Sequence, residues 1–141
     1  MKIVLAIDGS DCSLRATKFL IDLIKGRGGA EVHIVNVQHP VRYVDILSEE
    51  KKQLVERLNR ESGERETGYA REALAEASVP VHLHVVVGDD PASAIIEVSQ
   101  KLNCSMIVMG TRGMGIIAGL VLGSVASKVV HLADTAVTMV K

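Results

Sequence analysis

The sequence predicts an α/β fold in which a parallel sheet of five strands lies between two layers of helices. Apolar runs and amphipathic segments alternate along the chain in the order β-α-β-α-β-α-β-α-β, which is typical of such a sheet. Hydrophobic residues make up 48% of the composition and aromatic residues only 2%, so the core must be aliphatic, which favours a sheet buried on both faces. The 141 residues have the length of one domain, and we expect residues 1–141 to form a single three-layer unit.

The first strand, the first helix and the second strand are marked by local sequence signals. Ile3 to Ile7 is a continuous apolar run that predicts a central strand, and the turn residues Asp8 to Asp11 provide a helix N-cap. A helix is predicted over about 12–25, where glycines end it, and a strand is predicted over 31–37. The residues expected on the buried face of this helix are Leu14, Phe19, Leu20, Leu23 and Ile24.

Residues 48–77 form the most highly charged part of the chain and predict a long helix with a solvated surface. Gly63 and Gly68 weaken the middle of this helix, so we expect a break or an irregular turn near 62–68. The residues expected on its buried side are Leu54, Leu58, Tyr69, Ala73, Leu74 and Ala77.

The second half of the chain continues the alternation. Strands are predicted over 81–87, 105–109 and 135–140, with helices over about 91–102 and 124–132. The carboxyl ends of parallel strands meet at one edge of the sheet, and ligands bind at that edge where the winding reverses. The residues predicted to lie at those strand ends are Asp8, Val37, Gly88 and Gly110.

A glycine-rich loop follows the fourth predicted strand. Within residues 109–128 it contains the pattern G-x2-G-x9-G-S, formed by Gly110, Gly113, Gly123 and Ser124. The glycines allow the backbone to approach a phosphate, and the helix start after Gly123 attracts anions. We predict an anion site here; the alternative is a flexible connector whose serine only caps the helix. No lysine stands where a P-loop requires one, and a dinucleotide fingerprint forced onto this loop lacks the βαβ unit that should follow.

Charge and cysteine content narrow the classes of partner and compartment. The 16 basic and 17 acidic residues are interspersed and give a net charge of −1, so neither nucleic acid nor a membrane surface is expected as a partner. The first apolar run is too short for a signal peptide, and no run of 18 apolar residues predicts a membrane span. Cys12 and Cys104 form no C-x-x-C motif, and we interpret them as reduced, buried residues of a cytoplasmic protein.

Several segments spread over the whole chain carry a family resemblance. They are the opening I-V-L-A-I-D-G-S (3–10), I-V-N-V (34–37), G-D-D-P-A (88–92), I-V-M-G-T-R-G (107–113), L-G-S-V-A (122–126) and the closing strand. Together they resemble the universal stress protein family, and specifically its ATP-binding branch. The resemblance implies the adenine nucleotide alpha hydrolase-like fold, with strand order 3-2-1-4-5, and a homodimer formed through the last strand, from Ala136 to Val140.

The resemblance also implies a role for each matching residue. In nucleotide-binding members the glycine loop surrounds the ribose and phosphates, the acid after the first strand lies near the nucleoside, and the backbone at the end of the second strand contacts the adenine. The cofactor-binding residues implied in this sequence are Asp8, Val37, Met109, Gly110, Arg112, Gly113, Gly123, Ser124 and Val125.

The sequence departs from the family pattern in two places. Residues 114–122 lack the basic side chains that are frequent in the family, so an uncharged turn at Ile116–Ile117 is an alternative subunit contact. Ala126 stands where nucleotide-binding relatives often have a hydroxyl, which removes one hydrogen bond worth about 0.5–1.5 kcal/mol. We expect binding to survive both departures because the main donors are backbone groups.

Other polar residues have alternative interpretations. Asp8 can orient the nucleoside or a magnesium ion, or it can simply form a turn with Gly9. The pair Asp89–Asp90 is expected to cap a helix rather than to bind a metal. His82 and His84 face the same side of one strand, but two ligands without a third make a weak metal site. We therefore predict no metal site and no set of catalytic residues.

The function predicted from these observations is that of a cytoplasmic stress protein that binds ATP, with or without Mg²⁺, and acts as a nucleotide-loaded regulatory or protective dimer. At most slow hydrolysis is expected because no catalytic base is visible. The alternative is a dimeric interaction protein of the same fold that binds no nucleotide. An adenylyl-transferring enzyme is disfavoured because the chain has neither an S-G-G-x-D-S loop after the first strand nor an H-x-G-H pair. A phosphoacceptor receiver domain is disfavoured because adjacent acids at the first strand and a lysine-proline pair after the fifth strand are missing.

Overall fold

The computed structural model describes residues 1–26, 28–114 and 122–141 of the chain. The outer boundaries of the predicted strands and helices lie within one residue of their predicted positions, whereas the 3-10 turn was not predicted. The elements are β1 (Lys2–Ala6), α1 (Asp11–Ile24), β2 (Glu31–Gln38), a 3-10 turn (Val44–Ile46), α2 (Glu49–Glu76), β3 (Val81–Val87), α3 (Pro91–Lys101), β4 (Met106–Gly110), α4 (Ser124–Leu132) and β5 (Ala136–Val140).

The strands form one parallel sheet in the order β3-β2-β1-β4-β5, which confirms the predicted fold class and strand order. The central strand β1 pairs with β2 on one side, where Leu5 is opposite Ile34, and with β4 on the other, where Leu5 is opposite Val108. The chain therefore winds outward from β1 in both directions. The reversal lies between β1 and β4, so the carboxyl ends of these two strands flank the position where such sheets bind ligands.

Two aliphatic cores cover the two faces of the sheet. One lies beneath α1 and α2 and includes Leu5, Leu20, Ile34 and Leu74. The other lies beneath α3 and α4 and includes residues such as Val4, Val35, Ile95, Ile107 and Val129. Cys12 and Cys104 are both buried and free, in agreement with their interpretation as reduced residues. None of the helices in the described ranges is long and apolar enough to cross a membrane.

The predicted break in the long helix is wrong, because α2 is continuous from Glu49 to Glu76. Gly63 is buried at its centre, where a Cβ atom would lie 2.6 Å from Cγ2 of Val85. The glycine therefore serves close packing of α2 on β3 rather than a turn. No heavy atom lies within 4 Å of a Cβ built on Gly68, so that glycine has no comparable packing role.

Several side chains predicted to be buried are exposed. Leu54 and Leu58 lie in the amino-terminal half of α2, outside both cores, and Tyr69 also faces solvent. Phe19 on α1 is 39% exposed, and Ala77 follows the end of α2 as an exposed residue. The buried residues of α2 are Gly63, Thr67, Ala70 and Leu74. The expected buried face was therefore displaced by one residue at Tyr69, and burial in α2 begins only at Gly63, after Leu54 and Leu58.

Candidate functional site

Asp8 lies at the carboxyl end of β1, beside the reversal of the winding. Its Oδ1 atom accepts a hydrogen bond from the backbone N–H of Ser10 at 3.0 Å, so the turn-forming role is present. The hydroxyl of Ser10 caps α1 by accepting from the N–H of Ser13 at 3.2 Å, and it also donates to the carbonyl of Arg112 at 3.4 Å. The turn after β1 is thereby joined to the loop after β4.

Gly113 brings that loop against the Asp8 carboxylate. A Cβ atom built on Gly113 would lie 2.5 Å from Oδ2 of Asp8, a separation that no real Cβ contact shows. Only glycine fits there unless the carboxylate moves. The structure thus brings together two of the predicted site residues, and Oδ2 remains directed toward the loop while Oδ1 holds the turn.

Gly110 and Met109 have structural roles at the end of β4. A Cβ atom on Gly110 would lie 2.6 Å from Cβ of Cys12, so glycine is required for β4 to pack against the start of α1. The side chain of Met109 is buried in the core beneath α3 and α4. Only the backbone of this part of the predicted site is therefore near the edge of the sheet.

The start of α4 offers backbone donors that have no acceptor within the helix. Gly123 is its N-cap and supplies no side-chain hydrogen bond, and the first backbone bond of the helix is from Ser127 N–H to the carbonyl of Gly123. The N–H groups of Ser124, Val125 and Ala126 precede that bond and have no acceptor within the helix. The positive end of the helix dipole and these donors together favour an anion.

Thr111 joins the two ends of the glycine loop. Its carbonyl accepts from the N–H of Gly123 at 2.7 Å, and its own N–H donates to the carbonyl of Val140 in β5 at 2.8 Å. The exposed Arg112 follows it. Residues 115–121, which include the Ile116–Ile117 turn, lie outside the described residues.

The backbone of Val37 is directed past the end of β1. The N–H of Ile7 donates to the carbonyl of Val35, and the N–H of Gly88 donates to that of Gln38, both at 3.0 Å. Successive residues of a strand direct their backbone groups to opposite neighbours, so those of Val37 face the β1 side, beyond Ile7. Neither group has a hydrogen-bond partner in the described part of the chain.

A polar network beside Val37 is absent from the sequence-based site. The amide nitrogen of Asn36 donates to the carbonyl of Ile7 at 2.9 Å and to Oε2 of Glu66 at 2.8 Å. Gln38 donates to Oδ1 of Asn36 at 2.7 Å and to Oε2 of Glu66 at 3.2 Å. The available signal was Asn36 itself, since a polar residue within an apolar strand needs buried partners.

Asp90 caps α3, as predicted. Its carboxylate accepts from the N–H and the hydroxyl of Ser93 and pairs with Lys128 on α4. The hydrogen bond with Lys128, followed by those with Ser93, lowers the pKa of Asp90 to about 2. This carboxylate is therefore committed to holding α3 and α4 together.

His82 and His84 belong to a cluster with His33 and Glu31 on one face of β2 and β3. Nδ1 of His33 lies 3.0 Å from Nε2 of His84, and one oxygen of Glu31 lies 3.2 Å from Nε2 of His33 and 3.1 Å from Nε2 of His82. Burial is the main cause that lowers the pKa of both His33 and His84. Within residues 1–26, 28–114 and 122–141, no three such side chains are arranged to hold a metal ion.

A cavity of about 770 Å³ lies at the amino ends of the strands, between the carboxyl-terminal ends of α1 and α2. Lys25, Glu76 and Pro80 are among its lining residues. It includes none of the predicted site residues and lies at the amino ends of β2 and β3, away from the reversal of the winding.

Comparisons with known proteins agree with this architecture. The universal stress protein family model matches residues 1–141. A universal stress protein of Methanocaldococcus jannaschii is 34% identical over 140 residues, covering 99% of this chain and 81% of that protein. Among solved structures, the hypothetical protein MJ0577 superposes with a TM-score of 0.84 at 25% identity, covering 99% of this chain and 94% of that one. A universal stress protein in complex with cAMP superposes with a TM-score of 0.66 at 26% identity, covering 99% and 95%.

Proposed function

The chain belongs to the universal stress protein family, and we propose that it binds ATP at the carboxyl edge of the sheet and acts as a nucleotide-loaded regulatory or protective protein. The observation that carries the proposal is the close approach of Gly113 to the Asp8 carboxylate, which would have to move to admit a Cβ atom. This contact holds the glycine loop after β4 against the carboxylate after β1, at the reversal of the winding where such sheets bind ligands.

Each part of the nucleotide has suitable groups along this edge. The N–H groups of Ser124 and Val125, which have no acceptor within the helix, suit the phosphates, and the exposed guanidinium of Arg112 is a nearby cation. Oδ2 of Asp8 suits a ribose hydroxyl, which donates to a carboxylate. The backbone groups of Val37, which have no hydrogen-bond partner among the described residues, suit the adenine, whose edge offers one acceptor and one donor.

The class of ligand is supported by a structural relative. The superposable universal stress protein that contains cAMP shows that this fold accommodates an adenine nucleotide. We propose ATP as the ligand of this chain because the loop offers several anion-binding N–H groups for a triphosphate. If Mg²⁺ accompanies it, phosphates and water would supply most ligands and Asp8 would be a candidate carboxylate ligand.

Binding rather than turnover is the proposed activity. Oδ1 of Asp8 is bonded to Ser10 and Oδ2 is the proposed ribose contact, while Asp90 is paired with Lys128, so both carboxylates have roles other than that of a general base. Hydrolysis at such a site would be slow at most, and the loaded protein would persist as a stable state that partners can recognise.

We also propose that the protein is a cytoplasmic homodimer formed along β5. Residues Ala136–Val140 form one edge of the sheet in the described chain, and an unpaired edge favours strand pairing with a second copy. Thr111 donates to Val140, so the glycine loop is hydrogen-bonded to the edge that would meet the partner. Nucleotide occupancy and dimer stability would therefore influence each other.

The alternative, a protein of this fold that binds no nucleotide, loses one of its supports. Ala126 is 2% exposed and packs in the core beneath α3 and α4, so its methyl group does not face the loop. The absence of a hydroxyl at that position removes no exposed donor. The uncharged residues 114–122 are the remaining observation in favour of the alternative.

Nucleotide that copurifies with the protein tests the proposal. The chain has no Trp and only two Tyr residues, so bound adenine would dominate its ultraviolet absorbance. Acid extraction followed by chromatography should release ATP, and adding ATP to stripped protein should raise its melting temperature. A protein that carries no adenine nucleotide and whose melting temperature does not respond to ATP would exclude this function.

A further inference from the structure

Asn36 is a buried polar residue near the carboxyl end of β2, covered by α2. It is 1% exposed, yet each polar atom of its side chain has a partner. Its amide group donates to Ile7 and Glu66, and its carbonyl accepts from Gln38. A buried amide is tolerated when all of its polar atoms are hydrogen-bonded, as they are here. Unlike an apolar side chain, the amide can also occupy hydrogen-bonding groups of the neighbouring backbone.

The bond to Ile7 interrupts the regular pairing of β1 with β2. If the parallel ladder continued by one step, the N–H of Val37 would donate to the carbonyl of Ile7. In the structure that carbonyl accepts from Nδ2 of Asn36 instead, and the last backbone bond is from Ile7 N–H to Val35. The Asn36 side chain thus replaces a backbone donor, and the N–H of Val37 has no partner within residues 1–26, 28–114 and 122–141.

The network is supported from α2. Glu66 accepts from both Asn36 and Gln38 with the same oxygen, and its other oxygen accepts from the hydroxyl of Ser62 at 3.3 Å. A Cβ atom on Gly63 would lie 3.0 Å from Oδ1 of Asn36. The close approach of α2 that required Gly63 therefore also delivers Glu66 to the end of the sheet.

We propose that Asn36 is a positioning residue of the nucleotide site, which ends the β1–β2 ladder by occupying the Ile7 carbonyl and thereby leaves the Val37 backbone free to recognise the base. The inference rests on the proposed function and explains its selectivity. A free N–H beside a free C=O complements N1 and the N6 amino group of adenine. Guanine offers a donor and an acceptor in the opposite order at that edge, so it would be rejected.

Binding of different ligands to Asn36→Ala separates positioning from general stability. ATP, GTP and inorganic tripolyphosphate are titrated into wild type, Asn36→Ala and a control, Ser105→Ala. Ser105 donates to the carbonyl of Lys2 at the opposite end of β1, so the control removes a similar bond far from the site. We expect Asn36→Ala to bind ATP about tenfold more weakly, since one lost hydrogen bond accounts for up to that factor.

The selectivity distinguishes the outcomes. The proposal requires that the preference of Asn36→Ala for ATP over GTP falls while its affinity for tripolyphosphate and the behaviour of Ser105→Ala stay as in wild type. Equal losses for ATP and tripolyphosphate, or no loss at all, would overturn it. If wild type binds none of the three ligands, it is the proposed function that fails.

Hydrogen exchange of the Val37 amide provides a test without any nucleotide. In wild type this amide should exchange much faster than that of Val35, which is paired with Ala6 in the ladder. If Asn36→Ala folds, the Val37 amide should become protected as it takes the Ile7 carbonyl. A Val37 amide that is as protected as Val35 in wild type would refute the inference even if the variant does not fold.

Discussion

Oδ2 of Asp8 lies 2.5 Å from the position that a Cβ atom would take on residue 113, so the carboxylate after the first strand would have to move if the loop after the fourth strand carried any residue but glycine there. This contact links the two strands between which the winding reverses. The Asp8–Gly113 contact therefore lies at one side of the proposed nucleotide site.

Replacing Gly113 with alanine should displace the Asp8 carboxylate and weaken ATP binding by tenfold or more, about 1.4 kcal/mol. Gly28→Ala is the matched control, because nothing lies within 4 Å of a Cβ atom built there. Calorimetric titration of both variants with ATP checks the prediction. Equal affinities in the two variants would mean that the Asp8–Gly113 contact does not shape the site.

The two glycines of α2 should respond in opposite directions to alanine. Gly63→Ala should lower the free energy of unfolding by about 1–3 kcal/mol, because the new methyl group would collide with Val85. Gly68→Ala should raise it by about 0.5–1 kcal/mol, because alanine favours helix and meets no neighbour. Urea denaturation of the two variants measures both values. A stabilised Gly63→Ala would contradict the close packing of α2 on β3.

The histidine cluster predicts a loss of stability in acid. Burial lowers the pKa values of His33 and His84 in the folded protein below 6.5, so the unfolded chain takes up protons first as the pH falls. Their contribution is fully present above pH 6.5 and is lost as the pH falls through the lowered values. Glu31 opposes the shift of His33, whereas His82, His84 and Lys2 reinforce it.

Melting temperatures between pH 8 and pH 5 measure this dependence. His84→Gln keeps a polar atom near the position of Nε2 but cannot take up a proton there, so the curve of this variant should be flatter than that of wild type. His131→Gln changes an exposed histidine outside the cluster and serves as the control. Identical curves for wild type and His84→Gln would show that His84 does not cause the loss of stability in acid.

The proposed dimer makes a prediction about mass in solution. Pairing along β5 should give twice the chain mass by light scattering, with the dimer retained on moderate dilution and the β5 amides protected from hydrogen exchange. The β3 amides at the other edge serve as the internal reference. A monomer with exchanging β5 amides would argue against pairing at this edge.

The fold could be predicted from the sequence because its signals are local. The start of α3 follows from the cap at Asp90 and from Pro91, the limits of β3 follow from an apolar run, and the strand order follows from the resemblance. The continuity of α2 could not be predicted in this way. Gly63 is explained by Val85, a residue on a distant strand, and a helix sequence alone does not distinguish a packing glycine from a breaking one.

The candidate site was predicted only in part for the same reason. Asp8, Val37 and the glycines follow from motif positions, whereas Asn36 acquires a role only when α2 brings Glu66 to it. The histidine cluster is similar, because the register of β2 with β3 adds His33 to the pair that the sequence singled out. Side-chain contacts between elements that are distant in sequence cannot be predicted from the local sequence pattern.

Titration of ¹⁵N-labelled protein with ATP tests whether ATP binds at the carboxyl ends of β1 and β4, because it reports both binding and its location. We predict saturable binding with one ATP per chain, with the largest amide shifts at Asp8, Val37, Gly113 and Ser124. Loss of binding in Gly113→Ala but not in Gly28→Ala should accompany it. An unchanged spectrum, or shifts confined to the cavity around Lys25 and Pro80 at the amino ends of the strands, would contradict ATP binding at the proposed site.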